Sequence, residues 1–307
     1  MPFSKIAYNK ISVFQRSFIS LLVFFKACLV CAIVLAIAHT IVACRSSEKT
    51  PADKDVFVLI PAGGFQMGDA IDHMENAPVH LAEVDAFYIA KHEVTKARWD
   101  DVKKWGKRHG YTDLPSGSGK EANHPLHSVN WYAMVKWCNA MSERDELTPC
   151  YTVSGGIYRT GKSEPACNWR ADGYRLPTET EWEKAARGGT SGKRYPWGDN
   201  ISTTEANYHY SGNPWARGSL PWTSPVGSYP PNPYGLYDMT GNVWEWCWDW
   251  YGSMPEKHGP TDGMFRIARG GGWGNDAKDC RVAIRNCYYS EFSAYHRGFR
   301  VVRSAIP

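Results

Sequence analysis

Apolar residues cluster on either side of Pro61-Ala62-Gly63-Gly64, so Phe57 to Gly68 reads as a strand, a turn and a second strand. Val79 to Tyr88 predicts one further strand. The pattern then changes to helical. Thr95 is placed to cap a helix running to about Gly106. Ser128 is placed to cap a second helix, Trp131 to Ser142, with Ala133, Trp137 and Ala140 on one face. Thr178 and Glu181 have the spacing of a capping box, and the helix they open ends near Gly188-Gly189. Everything after it reads as short strands and loops dense in Gly, Pro and Trp. The expectation is an α+β domain with few helices, many short strands and long loops.

Two stretches fall outside this alternation. Between Arg269-Gly270-Gly271-Gly272-Trp273 and Gly298-Phe299-Arg300-Val301-Val302-Arg303 the chain shows neither helical nor alternating apolar order. It mixes Tyr, Asn, Asp, Ser and His instead. Tyr gives large contact area at low entropic cost and Asn and Ser give adaptable hydrogen bonds, a composition suited to contact with another molecule. The other stretch is the apolar run from Phe18 to Ala43, preceded by Lys5, Lys10 and Arg16 and closed by Ile41-Val42-Ala43-Cys44. A basic leader, an apolar run and small residues at its end describe an export signal over residues 1–43. With Cys44 after the cut the ending resembles a bacterial lipobox, which implies lipidation of Cys44 and a tether over residues 44–54. A plain membrane anchor is the alternative. Either places the domain of residues 55–307 outside the cytoplasm, and the lipobox implies attachment to the cell envelope, at the outer-membrane surface.

Composition narrows the picture further. Fourteen tryptophans, 28 glycines and 19 prolines fit an aromatic-rich fold with many turns. The net charge is +4, and residues 1–43 hold four basic residues and no acidic one, so the mature chain has a net charge of 4 − 4 = 0. That gives no electrostatic case for nucleic acid, and a monomer is expected. Of nine cysteines, Cys28, Cys31 and Cys44 belong to the leader and its cut, leaving Cys138, Cys150, Cys167, Cys247, Cys280 and Cys287. Cys150 and Cys167 flank a Gly-rich hairpin-like stretch and are the first disulfide to test. Cys138 reads as a buried helix residue, and no Cys/His set has zinc spacing.

Taken in order, Phe65-Gln66-Met67-Gly68, Glu93-Val94-Thr95, Tyr174-Arg175-Leu176-Pro177-Thr178-Glu179-Thr180-Glu181-Trp182-Glu183, Tyr195-Pro196-Trp197-Gly198, Asn232-Pro233-Tyr234-Gly235, Gly241-Asn242-Val243-Trp244-Glu245-Trp246, Arg269-Gly270-Gly271 and Gly298-Phe299-Arg300 resemble the formylglycine-generating enzyme, or sulfatase-modifying factor, domain. The resemblance covers about residues 55–304 and implies a variant of the C-type lectin fold. The enzymes of that family oxidise a sulfatase cysteine with a closely spaced cysteine pair that binds copper, as soft thiolates suit Cu(I). Aligned through Arg281-Val282-Ala283, the pair falls near Gly272 and Ala277, and neither is Cys. The expectation is no enzyme and no copper. The family's iron-dependent branch needs a preceding helical domain, for which residues 45–54 leave no room. A calcium loop is implied at Asp238 and Glu245 by side chain and at Gly241 and Val243 by carbonyl, a hard oxygen set suited to Ca²⁺. The second calcium loop of the family matches only at Asn207 and Tyr208, with Gly218 at its acidic position.

Segment 269–303 is similar to the variable region of treponemal variable lipoproteins, which are diversified by retroelements that mutate adenines, chiefly in Asn codons. The residue set reachable that way covers Gly274, Asn275, Asp276, Asp279, Ile284, Asn286, Cys287, Tyr288, Tyr289, Phe292, Ser293, Tyr295 and His296, while Lys278 and Glu291 fall outside it. The resemblance implies recognition of a protein or glycan ligand of another cell or host. Trp273, Tyr288, Tyr289, Phe292 and Tyr295 would act as anchors, because aromatic residues dominate binding hot spots. Asn275, Asp276, Asp279 and His296 would add polar specificity. An undiversified structural lipoprotein of the same fold and an oxidase remain as alternatives.

Overall fold

The computed structural model describes residues 56–210, 212–252 and 262–305. The export leader, its cut at Cys44 and the tether lie outside the described residues. No helix among the described residues is long and apolar enough to cross a membrane.

The described residues form twelve short strands and three α-helices. The opening strands β1 (Phe57–Ile60) and β2 (Gly63–Met67) do not pair with each other. The predicted strand Val79–Tyr88 divides into β3 (His80–Val84) and β4 (Phe87–Ala90), interrupted at Asp85-Ala86. β2 pairs with β3, whereas β4 sits between β1 and β12 (Val302–Ser304), with Val302 opposite Ile89. The two ends of the domain are therefore joined through β4. The connection at Pro61-Ala62 hands the chain from one sheet to another.

Helix α1 (Lys96–Lys107) starts as expected, with Thr95 Oγ1 accepting from the Arg98 amide at 3.2 Å. Helix α2 (Trp131–Arg144) is capped by Asn130, whose Oδ1 accepts from the Ala133 amide at 2.9 Å, and not by Ser128. Ser128 instead has φ 59°, and its amide donates to the Ala294 carbonyl at 3.0 Å, tying the helix entry to the C-terminal segment. Nearly all of α2 is buried, including Lys136 and Asn139, so the single apolar face expected from its sequence understates its burial.

Helix α3 (Glu179–Arg187) has the full capping box and ends at Gly188 with φ 61°. Every residue in it is buried although five of nine are charged. Trp182, Ala185 and Ala186 pack into one apolar cluster with Met239, Ile267 and Val282. A larger cluster centres on Trp99, Trp131, Trp137, Trp246 and Phe299, with Trp99 and Trp137 stacked at 5.7 Å.

β5 (Tyr151–Val153), β6 (Gly156–Ile157) and β7 (Ala166–Cys167) form a small separate sheet. Tyr151, not Cys150, lies opposite Cys167 in that sheet, and Cys150 precedes the strand. Cys150 and Cys167, the first pair to test, are both free, as are Cys138, Cys247, Cys280 and Cys287. Cys138 is fully buried in α2 as read from the sequence.

The sheet that carries the unpatterned segment has the order β10 (Asn286–Tyr288), β9 (Arg266–Arg269), β8 (Trp244–Trp250), β11 (Arg297–Gly298). β11 runs parallel to β8, with Arg297 opposite Trp244, so the segment leaves the sheet at one edge and returns at the other.

Candidate functional site

Segment 269–303 is fixed at three points by buried arginines. Arg269 pairs with Glu183 of α3 and donates to the carbonyls of Val282 at 2.9 Å, Ala283 at 3.0 Å and Ile284 at 2.7 Å. Arg285 forms a two-bond fork with Glu179 at 2.7 and 2.9 Å. Arg300 forms another with Glu245 at 2.7 and 2.6 Å, and also donates to the carbonyls of Ala90, Lys91 and Tyr237. Planar guanidinium against planar carboxylate fixes direction as well as distance. The charged residues of α3 thus serve as sockets for the segment, a role no local pattern in the sequence announces. At Gly271, φ is 76° and an added Cβ would lie 2.5 Å from the Cys280 sulfur, so this position accepts only glycine.

Between these anchors the side chains divide into a supporting layer and a face. Trp273 belongs to the support. It is only 5% exposed, stacks under Tyr295 at 5.7 Å and meets the edge of Trp222 at 5.6 Å. The expectation of an exposed Trp273 anchor is corrected accordingly, because the Gly270-Gly271 turn carries the indole inward. Asn275 is half-buried and structural as well, its Oδ1 accepting from Trp244 Nε1 at 2.9 Å. Ile284 is half-buried against the main core. Asn286 is half-buried and its Oδ1 accepts from the Cys287 amide at 2.8 Å.

The face consists of exposed Gly274, Asp276, Tyr289, Phe292, Ser293 and Tyr295, with half-buried Asp279, Cys287, Tyr288 and His296 between them. Tyr289, 57% exposed, leans on Phe265 at 4.6 Å. Tyr288 and Phe292 stack at 4.8 Å. Asp276 lies 3.5 Å from His209 Nδ1. Burial, with the neighbouring Arg297 charge, pushes the His296 imidazole down to about 4, so it is neutral at physiological pH.

His209, Trp222 and Phe265 complete this face from outside the segment. Only Phe265 lies close to it in sequence, and nothing in the local pattern marks the other two. Near His296, His127 is buried and held down at about 4 by burial and by His124 and His296, and its Nε2 has no hydrogen-bond partner among the described residues. Trp273 Nε1 is likewise buried without a partner.

Asp238 and Glu245 of the expected calcium set lie near each other, but both carboxylates are engaged. Glu245 receives Arg300 on both oxygens and Trp182 Nε1 at 2.7 Å, and Asp238 accepts from the Gly227 amide at 2.7 Å. Burial pushes Asp238 up to about 6. Burial, with the charges of Asp238 and Glu245, pushes the adjacent Glu93 well above the usual carboxylate range. A calcium ion would compete with Arg300 and Gly227 for these oxygens, so the set as arranged does not fit a calcium ion without displacing protein donors. Among the described residues no group of three or more His, Cys, Asp or Glu is placed to hold a metal.

Cys280 is fully buried, and burial pushes its thiol up to about 12. A thiol so placed is protonated and shielded, the opposite of what a reactive cysteine needs. Gly272 and Ala277, where the sequence resemblance leads one to expect the catalytic pair, carry no thiol.

Residues 44–305 match the sulfatase-modifying factor enzyme 1-like domain. The formylglycine-generating enzyme of Thermomonospora curvata is 40% identical over 283 residues, covering 79% of this chain and 91% of that enzyme. A protein of Paenibacillus barcinonensis named chaperone protein LppX is 32% identical over 291 residues, covering 89% of this chain and 97% of its own. Among solved structures, Treponema denticola variable protein 1 superposes with a TM-score of 0.67 at 29% identity, covering 81% of this chain and 94% of that one.

Proposed function

The chain belongs to the sulfatase-modifying factor family, and on that scaffold we propose that it is a binding protein rather than an oxidase, displayed on the cell envelope through lipidated Cys44, whose segment 269–303 recognises a protein or glycan ligand. One observation carries the reading. The arginines of the segment (Arg269, Arg285, Arg300) are locked into buried carboxylates, while Tyr289, Phe292, Ser293 and Tyr295 between them are exposed and form no part of the core. That division lets the face change without loss of the fold, as a diversified recognition surface requires. The likeness to the treponemal variable protein supports it. Enzyme activity has little support here, because Cys280 is buried and the aligned positions of the catalytic pair are Gly272 and Ala277.

Related copies in the same genome provide the test. Substitutions should concentrate at Asp276, Asp279, Tyr288, Tyr289, Phe292, Ser293 and Tyr295, and spare Arg269, Gly271, Arg285 and Arg300. An even spread over residues 55–304 would sink the reading. Oxidation of a cysteine-containing peptide by the copper-loaded protein would restore the oxidase alternative. Palmitate labelling that leaves Cys44 unmodified would refute the lipid anchor.

A further inference from the structure

Arg269, Arg285 and Arg300 each have a carboxylate partner. Arg297 has none. Its side chain is fully buried, and Nε, Nη1 and Nη2 make no hydrogen bond among the described residues. What surrounds it is aromatic. Its Cζ lies 3.3 Å from the centroid of the Tyr288 ring, 5.5 Å from that of Phe292 and 5.4 Å from that of Trp246. Burial lowers the guanidinium only to about 9, so it remains charged at neutral pH.

Aromatic faces compensate part of a buried cation's lost hydration, but they leave the guanidinium donors unmet. A buried ion without a counter-ion is strongly unfavourable, and an apolar side chain of similar size is generally the more stable choice. The floor of this box is fixed, since Trp246 belongs to β8 and Arg297 is paired in β11. Its cover, the stacked Tyr288 and Phe292, belongs to the recognition face, and Phe292 is 38% exposed.

We infer that Arg297 is a built-in anchor for a ligand carboxylate, reached when Tyr288 and Phe292 turn aside. The inference rests on the binding reading above. A carboxylate matches one guanidinium in both fork geometry and charge, whereas a doubly charged phosphate would leave negative charge in an apolar box. The surrounding Tyr-rich face has the character of a protein-binding surface, so the carboxylate is that of an acidic side chain on a protein ligand. Specificity then divides between a constant charge at Arg297 and a changeable rim.

Two measurements test this on the full chain. Arg297→Met should raise the melting temperature by about 2–4 °C or more, because it removes an unpaired buried charge at similar volume. A drop of that size instead would make Arg297 a structural residue and overturn the anchor. In the second, the Arg297 Nε–H resonance of the wild type is followed by NMR during titration with N-acetylglutamate amide. It should shift saturably, should not respond to N-acetylglutamine amide, and should be missing in Arg297→Met. No saturable shift would overturn the anchor, and so would a response to inorganic phosphate alone. A response to glucuronate without one to the glutamate derivative would overturn the protein-ligand assignment. Evenly scattered variation among genomic copies sinks the binding reading on its own. Loss of stability in Arg297→Met removes the anchor and leaves that reading standing.

Discussion

Replacing Arg269 by methionine is the sharpest test of how the recognition segment is held. The substitution keeps most of the volume and removes the charge. In the wild type the guanidinium is fully buried, pairs with Glu183 and donates to three consecutive carbonyls, Val282, Ala283 and Ile284. Glu183 would keep a counter-ion, because Arg187 at 2.7 and 2.9 Å and the Gly68 amide at 2.8 Å still donate to its Oε1, while its Oε2 would lose the Arg269 donor. The three carbonyls would lose their charged donor. Hydrogen bonds to a charged group contribute about 1.5–3 kcal/mol each, and removing one partner of a buried ion pair costs about 3–5 kcal/mol. Because the bonds share one side chain they are not additive, so a loss of about 3–5 kcal/mol is expected. That is a large part of the roughly 5–15 kcal/mol that holds a domain folded. Equilibrium guanidinium unfolding followed by tryptophan fluorescence would read it as a lower midpoint at unchanged slope. Arg269→Lys, which keeps the charge but not the fork, should fall between the two. A loss below about 1 kcal/mol in Arg269→Met would refute the idea that this arginine organises the segment.

Other predictions concern the face and the buried acids. Tyr289→Ala and Phe292→Ala should change stability by no more than about 0.5 kcal/mol while weakening ligand capture, and a large stability loss would show that the face is part of the core. Asp249 is raised to about 7 by burial and by Glu179, above its unfolded value. Its contribution to stability is present below about pH 4 and is lost as pH rises to about 7. Asp249→Asn should therefore be more stable than wild type at pH 8 but not at pH 4, and an equal difference at both pH values would contradict the assignment. His127 and His296 are both depressed to about 4 by burial. Their contribution is present above about 6.5 and lost as pH falls toward 4, so His127→Phe should flatten the acid side of a stability–pH curve. If Arg300 holds Glu245 as described, calcium and a calcium chelator should leave the melting temperature unchanged, and a clear rise with calcium would show the ion winning that competition.

Much of the scaffold is legible because its signals are local. The caps at Thr95 and Thr178 and the αL ending at Gly188 follow from residues within one or two turns, and the helices they bound lie where the sequence placed them. Ser128 misled because a nearer cap, Asn130, competes for the same helix, and Ser128 is drawn into a left-handed conformation by its bond to Ala294. The surface character of Tyr289, Phe292 and Tyr295 was also readable, since a segment with no apolar period has no continuous face to bury.

Local sequence signals suffice for three helices, the order of the family's motifs and the position of an unpatterned segment between two ordered ends. The tertiary structure alone decided which strands pair, with β4 accepting partners from both ends of the domain. It also turned Trp273 inward, engaged Glu245 with Arg300 and packed Arg297 against aromatic rings. These outcomes depend on residues far apart in the chain, such as Arg285 and Glu179 or Arg269 and Glu183. Local periodicity reports which way a side chain faces. It carries no information on which opposite charge, if any, waits there when the chain closes.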